Sequence, residues 1–156
     1  MNEKKMTEPE RLVRRFLELA IVQRNMDEAI KLFHEDAIVY EPPGLPYGGT
    51  YLGPKAMQKL STTLRSHLSE LSAWWIDMPS DSPESGVVAN DKYAILYGAM
   101  KGKSALTGKT FLVPVEERYR VRDGKFDEVW VFYHDTSVVS DACRIAAGQT
   151  ADARPL

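Results

Sequence analysis

The sequence predicts an α+β fold in which a curved antiparallel or mixed sheet wraps around about three N-terminal helices. Three observations support this prediction. Apolar residues recur at helical spacing in the first half of the chain. Runs rich in Val, Ile, Tyr, Trp and Phe fill the second half, separated by Gly, Pro, Asn, Asp and Ser. The segment "VRDGK" joins the last two runs, and its Asp-Gly pair favours a tight hairpin between antiparallel strands.

The helices are expected early in the chain. The stretch "RLVRRFLELA" carries an apolar stripe with charges opposite and predicts the first helix, which Asn25 ends. Asp27 is expected to cap a short second helix, "DEAIKLFHED". Gly53 at the cap and Pro54 at the first helical position predict the start of a third helix.

The strands follow from β-branched and aromatic runs. "AIVYEP" predicts a first strand over Ala37 to Glu41, which leads into the Pro- and Gly-rich loop "EPPGLPYGGTYLGP". Later strands are expected in "LSAWWIDM", "VVAN", "KYAILYGAMKG", "KTFLVPVEERYRV" and "KFDEVWVFYHD". We interpret 1–8 as a flexible lead, 9–142 as a single α+β domain, and 143–156 as a short C-terminal helix or frayed tail.

Composition excludes several classes of function. The net charge of -2 and the pI near 5.9 provide no basic surface, so nucleic acid is not an expected partner. No apolar run reaches the roughly 18 residues that a membrane span needs, and the amino end lacks a signal peptide's hydrophobic segment, so we expect a cytoplasmic protein. One cysteine, Cys143, and three dispersed histidines predict no metal site, and no cofactor is expected.

Glu117 is the anomalous residue of the strand "VPVEERYRV". Alternation places charged residues on a solvated face and predicts an inward row of Val113, Val115, Glu117, Tyr119 and Val121. A buried carboxylate is costly unless it is paired, hydrogen-bonded or protonated. Glu117 therefore serves either as a structural partner of a cross-strand cation or a buried tyrosine, or as a functional group.

The last strand and its end carry the other candidate acid–base groups. "EVWVFY" is apolar on both faces, so the strand needs cover on each side. At its end, Tyr133 and Asp135 alternate with His134, which puts a carboxyl beside a phenol and an imidazole. Asp135 also directly precedes "TSVVSDA", where it would serve as a helix N-cap. Both roles remain open, and they do not exclude each other.

The order of these segments resembles the SnoaL-like members of the nuclear transport factor 2-like superfamily. The resemblance covers about Pro9 to Ala142, and its most specific parts are "YGGTYLGPKAM" and the closing "DGK", apolar strand and "FYHDT". It implies a cone formed by a curved sheet packed on three helices, with an internal pocket for a small apolar molecule. It also implies a homodimer through the outer face of the sheet.

Within such a cone, the resemblance places the Pro- and Gly-rich loop at the mouth of the pocket. A stiff loop would hold Tyr47 toward a ligand without a large entropy loss, and Glu41 would point inward. The alternative is a rigid structural corner in which Tyr47 and Tyr51 cover the core. Large aromatic residues add further candidates for ligand contact: Trp75, Tyr119 and Trp130.

The resemblance implies several functions. One is cofactor-free acid–base chemistry of the isomerase, cyclase or dehydratase type, with Asp135, Glu117, Tyr133 and His134 as catalytic candidates. A second is a non-catalytic module that binds a small molecule, and a third is an interaction dimer with a filled cone. The constellations of the well-characterised enzymes are not matched residue by residue, and the lack of an inward Arg argues against epoxide hydrolysis.

Overall fold

The computed structural model describes residues 6–73 and 86–144. The helices in these ranges are α1 (Glu8–Leu17), α2 (Met26–Ala29), α3 (Ala56–His67) and α4 (Thr136–Cys143). The strands are β1 (Phe33–Glu41), β2 (Gly49–Leu52), β3 (Leu68–Ala73), β4 (Gly86–Ala89), β5 (Tyr93–Ser104), β6 (Thr110–Arg122) and β7 (Lys125–Tyr133). The sheet order is β2-β1-β7-β6-β5-β3, and β4 also pairs with β5.

The sheet is mixed and is not closed. β1 runs parallel to β7, whereas the other pairs are antiparallel. Its inner face packs against the helices through a core that includes Val13, Phe16, Leu60, Leu96, Val113 and Val129. The predicted α+β fold is confirmed, and the mixed alternative for the sheet is the one that the chain adopts.

The hairpin between β6 and β7 has the predicted turn. Asp123 and Gly124 both have positive φ angles, 50° and 75°, as a tight primed turn requires. The turn pairs Arg122 with Lys125, and an irregularity between Arg120 and Val121 then shifts the register by one residue, so that Glu117 pairs with Val131. The pairing of Glu117 with the inner-face residue Val131 therefore depends on both the turn and this shift.

Three boundaries differ from the sequence prediction. Asn25, rather than Asp27, caps α2, because its side-chain oxygen accepts a hydrogen bond from the Glu28 backbone N–H at 3.2 Å. β1 begins at Phe33, which is buried against Phe16 and Phe126 and pairs with Phe126 across the sheet. Gly53 adopts a φ of 85° in a turn that precedes α3, so Pro54 lies outside the helix.

α4 is the predicted short C-terminal helix, and side chains tie it to the rest of the fold. Ser140 Oγ donates to the Gly44 carbonyl, and Thr107 Oγ1 donates to the Ala142 carbonyl. The first contact joins α4 to the loop after β1, and the second joins it to the turn between β5 and β6. The helix is thus held across one end of the sheet, beside the loop that carries Tyr47.

Candidate functional site

Two glutamates from different strands lie in one row on the inner face of the sheet. Glu117 on β6 pairs with Val131 on β7 and with Leu96 on β5. On β1, Tyr40 pairs with Trp130, so the following residue, Glu41, lies beside Val131. Because paired residues share a face, Glu41 and Glu117 point to the same side with one strand between them.

Glu41 is a buried residue whose carboxyl group lacks a full set of hydrogen-bond partners among the described residues. The residue is 6% exposed, and its Oε2 atom has no hydrogen-bond partner within the part of the chain that the structure describes. Burial raises its pKa to about 9, with a further contribution from the nearby Glu117. At neutral pH Glu41 is therefore a neutral carboxylic acid that can donate a hydrogen bond.

Glu117 differs from Glu41 because it has a hydrogen-bond donor. The Tyr119 hydroxyl donates to its Oε2 atom. Burial raises the pKa of Glu117, while this hydrogen bond favours the ionised form and opposes the rise. The tyrosine partner is one of the structural roles that the sequence left open, and Glu117 remains the better placed of the two carboxyls to act as a base.

A pair of phenols extends the site. The hydroxyl oxygens of Tyr47 and Tyr133 are 2.9 Å apart, and the Tyr133 hydroxyl also lies 3.8 Å from Met100 Sδ. Because each phenol has one proton, Tyr47 is the donor between them when Tyr133 donates to that sulfur, and otherwise either phenol can be the donor. Burial raises the pKa values of Tyr47, Tyr119 and Tyr133 above the usual range, so all three remain protonated donors.

The loop after β1 places Tyr47 by a close backbone contact. Gly48 donates its backbone N–H to the Leu45 carbonyl at 2.9 Å, and Tyr51 donates its hydroxyl to the Tyr47 carbonyl at 2.6 Å. A Cβ atom on Gly48 would lie 2.1 Å from the Pro42 carbonyl oxygen, so only glycine fits there. The loop is thus a rigid corner that also directs a buried phenol toward Tyr133.

Asp135 and His134 are not part of this cluster. Asp135 is exposed and caps α4, where it accepts hydrogen bonds from the backbone N–H and the hydroxyl of Ser137 at 2.9 and 2.7 Å. These bonds lower its pKa, which agrees with the helix-cap role that the sequence left open for Asp135. His134 is exposed at the strand end. The strand alternation that suggested both residues stops at Tyr133.

Trp130 lies on the opposite face of the sheet from Glu117. Its ring stacks on Tyr40 with a centroid distance of 4.1 Å, and its Nε1 atom donates to Glu128 at 2.7 Å. The Arg118 guanidinium lies 5.8 Å from the Trp130 ring and 5.8 Å from the Phe132 ring. These side chains form an outer aromatic surface, defined here as Tyr40, Arg118, Trp130 and Phe132. Trp75 lies outside the described residues.

The sequence did not identify Met100 as a partner of the phenols. Its side chain is buried on β5, and its sulfur is the acceptor for Tyr133. A methionine in a strand gives no sign of such a contact, because its apolar side chain is equally at home in any core. Only the pairing of β5 with β6 brings it to the site.

A concave region lies away from the glutamates. A cleft of about 550 Å³ is lined by residues that include Asp36, Lys92, Arg120, Arg122 and Asp127. Asp127 accepts hydrogen bonds from both Arg120 and Arg122 at 2.9 to 3.0 Å, and Arg122 also pairs with Asp36. The charges of Asp36, Arg120, Arg122 and Asp127 in this cleft are therefore satisfied by one another.

The described ranges contain neither a metal-binding cluster nor a membrane-spanning helix. No group of three or more His, Cys, Asp or Glu side chains in 6–73 and 86–144 is placed to hold a metal ion. No helix in those ranges is long and apolar enough to cross a bilayer.

Solved structures share this fold at low sequence identity. An NTF2-like protein from Burkholderia xenovorans LB400 is 21% identical, with a TM-score of 0.73 over 88% of this chain and 96% of its own. A protein proposed to be a polyketide cyclase, from Pseudomonas putida KT2440, is 16% identical, with a TM-score of 0.65 over 89% and 99%. TerC, co-crystallised with polyporic acid, is 16% identical, with a TM-score of 0.69 over 88% and 98%.

Sequence comparison assigns the family. A search of curated proteins finds no match. Residues 13–129 match the SnoaL-like domain family, and the solved NTF2-like structures fit the same α+β cone. This match covers well over half of the chain, and the order of helices and strands agrees with it. The chain is therefore a member of the SnoaL-like domain family.

Proposed function

We propose that this protein binds a small apolar carbonyl compound on the inner face of the sheet and moves a proton next to the carbonyl group. The observation that carries the proposal is the row of Glu41 and Glu117, bordered by buried phenols. Two carboxyls in different surroundings provide an acid and a base within one site. Reactions of the isomerase, cyclase or dehydratase type need this pairing and no cofactor.

In the proposed reaction Glu117 is the general base. Its carboxylate takes a proton from the carbon beside the carbonyl, the C–H electron pair forms the enolate double bond, and the negative charge moves to the oxygen. Return of the same proton to another carbon completes an isomerisation without any redox change. Tyr119 supports the ionised form of Glu117 through its hydrogen bond.

Tyr133 is the proposed donor to the enolate oxygen. In the proposed arrangement its hydroxyl donates to Met100 Sδ, 3.8 Å away, and a thioether is a weak acceptor. A ligand oxygen would therefore take over this proton at little cost, while Tyr47 continues to donate to the Tyr133 oxygen. A preorganised donor of this kind stabilises the charge that develops in the transition state.

The similar structures support the chemistry at the level of the fold alone. One of them is proposed to be a polyketide cyclase, and TerC was co-crystallised with polyporic acid. At identities of 16% these resemblances transfer no residue roles. The proposal for this chain therefore depends on its own carboxyls and phenols.

Deuterium exchange tests the proposal directly. A series of enolisable aryl ketones, including 2-acetonaphthone, is incubated with the protein in D₂O, and loss of the proton signal beside the carbonyl is followed by NMR. We expect the wild type to accelerate exchange and Glu117→Gln to reduce the acceleration by about 10² to 10⁴-fold. The control is Glu116→Gln, an exposed position next to Glu117 on the same strand. This variant should accelerate exchange of the ketone as much as the wild type does.

Exchange that persists unchanged in Glu117→Gln would refute the assignment of the base. Ligand binding without any exchange would instead favour the second candidate, a non-catalytic module that uses the same cluster. Native mass spectrometry of the purified protein would identify whatever such a module retains.

We also propose that the protein forms a homodimer through its outer aromatic surface. Phe132 is 44% exposed there, next to Trp130 and Arg118. Stacked aromatic rings beside an arginine are common at the centre of protein interfaces. A second copy that covered this surface would remove Phe132 from water.

A further inference from the structure

The unpartnered Oε2 atom of Glu41 leads to a further inference, which rests on the proposed ligand site. Buried carboxyl oxygens are nearly always hydrogen-bonded, since an unsatisfied one costs on the order of 1–3 kcal/mol. Glu41 lies at the end of β1, immediately before the loop that carries Tyr47. Its free oxygen therefore marks a position at which a ligand atom would complete the hydrogen bonding.

The groups around Glu41 determine what kind of ligand atom fits. Glu117 on β6 and the phenols Tyr47, Tyr119 and Tyr133 interact with it electrostatically. None of these groups carries a positive charge, and the ionised carboxyl of Glu117 opposes a further negative charge nearby. No Lys, Arg or His in the described ranges is among the groups that shift the pKa of Glu41.

We propose that Glu41 acts as an undissociated acid that donates a hydrogen bond to an oxygen of a neutral ligand. The site thereby selects neutral ketones, esters and quinones over carboxylates and other anions. A ligand carbonyl accepts the proton of Glu41, whose Oε2 atom has no partner among the described residues, whereas an anion meets the second carboxyl, Glu117. Glu41 is in this view a residue that determines specificity, separate from the base Glu117.

A pair of probes of nearly equal shape tests this selectivity. 2-Acetonaphthone is neutral, and 2-naphthoate carries one negative charge at pH 7. Equilibrium binding of each to the full chain is measured by fluorescence titration or calorimetry. We expect the ketone to bind the wild type at pH 7 at least about tenfold more tightly than the carboxylate, which corresponds to about 1.4 kcal/mol.

The pH dependence of ketone binding identifies the residue. With a pKa of about 9, roughly a tenth of Glu41 keeps its proton at pH 10, so the affinity of the wild type should fall about tenfold between pH 7 and pH 10. Glu41→Gln keeps a donor that cannot ionise, and its affinity for the ketone should stay within about twofold over this range. Glu35→Gln, an exposed position on the same strand, is the matched control and should follow the wild type.

Two results at pH 7 would overturn the inference: equal binding of both probes, or no detectable binding of the ketone at its solubility limit. Two results of the pH series would also overturn it: a wild-type affinity for the ketone that does not change up to pH 10, or a fall in affinity of the same size in Glu41→Gln. The wild-type measurements alone are decisive if Glu41→Gln does not fold.

The same probes separate this inference from the proposed reaction. Ketone binding with the expected charge and pH pattern, but without deuterium exchange, supports the role of Glu41 and removes the catalytic proposal. Exchange that depends on Glu117, with no preference for the neutral probe, supports the reaction and removes the role of Glu41.

Discussion

At the scale of single residues, one hydrogen bond separates the roles of Glu41 and Glu117. Both are carboxyls on the inner face, and burial raises the pKa of each. Tyr119 donates to Glu117, while the Oε2 atom of Glu41 has no partner among the described residues. Because a donor favours the ionised form, Glu117 can work as a base and Glu41 as an acid.

These raised pKa values make stability depend on pH. Between about pH 5 and pH 8 folded Glu41 holds a proton that the unfolded chain has released, so the free energy of unfolding should fall as pH rises, by up to about 1.4 kcal/mol per unit. Glu41→Gln should reduce this slope, and Glu35→Gln should not. Urea denaturation at several pH values measures this slope. A free energy of unfolding that rises with pH in the wild type would contradict the raised pKa of Glu41.

Tyr119→Phe tests the hydrogen bond to Glu117. Loss of the hydroxyl leaves the carboxylate without its donor, so the pKa of Glu117 should rise further. The pH profile of deuterium exchange should then shift to higher pH. The free energy of unfolding should fall by about 1–2 kcal/mol. Tyr93→Phe, on the outer face, is the control. An unchanged pH profile would show that the hydrogen bond does not tune the base.

How far the sequence identified these residues depends on the strand pattern. Alternation along β6 placed Glu117 inward, and the apolar run before the prolines placed Glu41 at a strand end. The same alternation was extended past Tyr133 to Asp135, where the backbone has already turned into the cap of α4. Trp130 was a candidate for ligand contact but lies on the outer face. A strand that is apolar on both faces does not reveal which face holds the site.

At the scale of elements, the loop after β1 and helix α4 fix the phenols. Ser140 ties α4 to Gly44 in this loop, and the Tyr47 ring lies between the loop and Tyr133. The sequence predicted the loop from its prolines and glycines and the helix from Asp135 as a possible N-cap before "TSVVSDA". It set β1 four residues too late, because the buried aromatic Phe33 continues the amphipathic pattern of the preceding helix.

Gly48→Ala should disrupt the loop. A Cβ atom there would lie 2.1 Å from the Pro42 carbonyl oxygen, so the backbone must shift and Tyr47 should lose its contact with Tyr133. We expect the free energy of unfolding to fall by about 2 kcal/mol or more. Gly44→Ala, whose Cβ atom would meet only the Thr136 hydroxyl at 3.3 Å, should cost clearly less. Equal effects of the two substitutions would argue against the close contact.

Asp135→Ala should act through the helix and not through the reaction. The variant loses both hydrogen bonds to Ser137, so the N-terminus of α4 loses its cap and the melting temperature should fall. Deuterium exchange, measured below the melting transition, should equal that of the wild type. A loss of exchange in a stably folded Asp135→Ala protein would restore Asp135 as a catalytic candidate.

At the scale of the whole molecule, the outer aromatic surface should set the oligomeric state. Sedimentation is expected to show a dimer at micromolar concentration, and Phe132→Glu should give a monomer because it places a charge among stacked rings. Val22→Glu is the control, since Val22 is 68% exposed at the end of the π-helical turn Glu18–Val22 that follows α1. A monomeric wild type would remove the proposed dimer.

The overall architecture was the most predictable level. Helical spacing, β-rich runs and the Asp-Gly hairpin are local signals, and together they gave the α+β class and the order of the elements. The parallel pairing of β1 with β7 was not predictable in this way, because no local pattern indicates which distant strand completes a sheet. That pairing is what brings Glu41 beside the row of Glu117.

The pairing of β1 with β7 also determines when the site can form. Tyr40 and Trp130 are partners across the sheet although 90 positions of chain separate them, so this part of the sheet must wait for the last strand to be synthesised. Until then the edge of β1 that faces β7 has no partner, and Glu41 stays in water with an ordinary acidity. Glu41 should therefore acquire its raised pKa late in folding. Proton uptake during refolding, measured by stopped flow, should have the rate of the slowest phase of sheet formation.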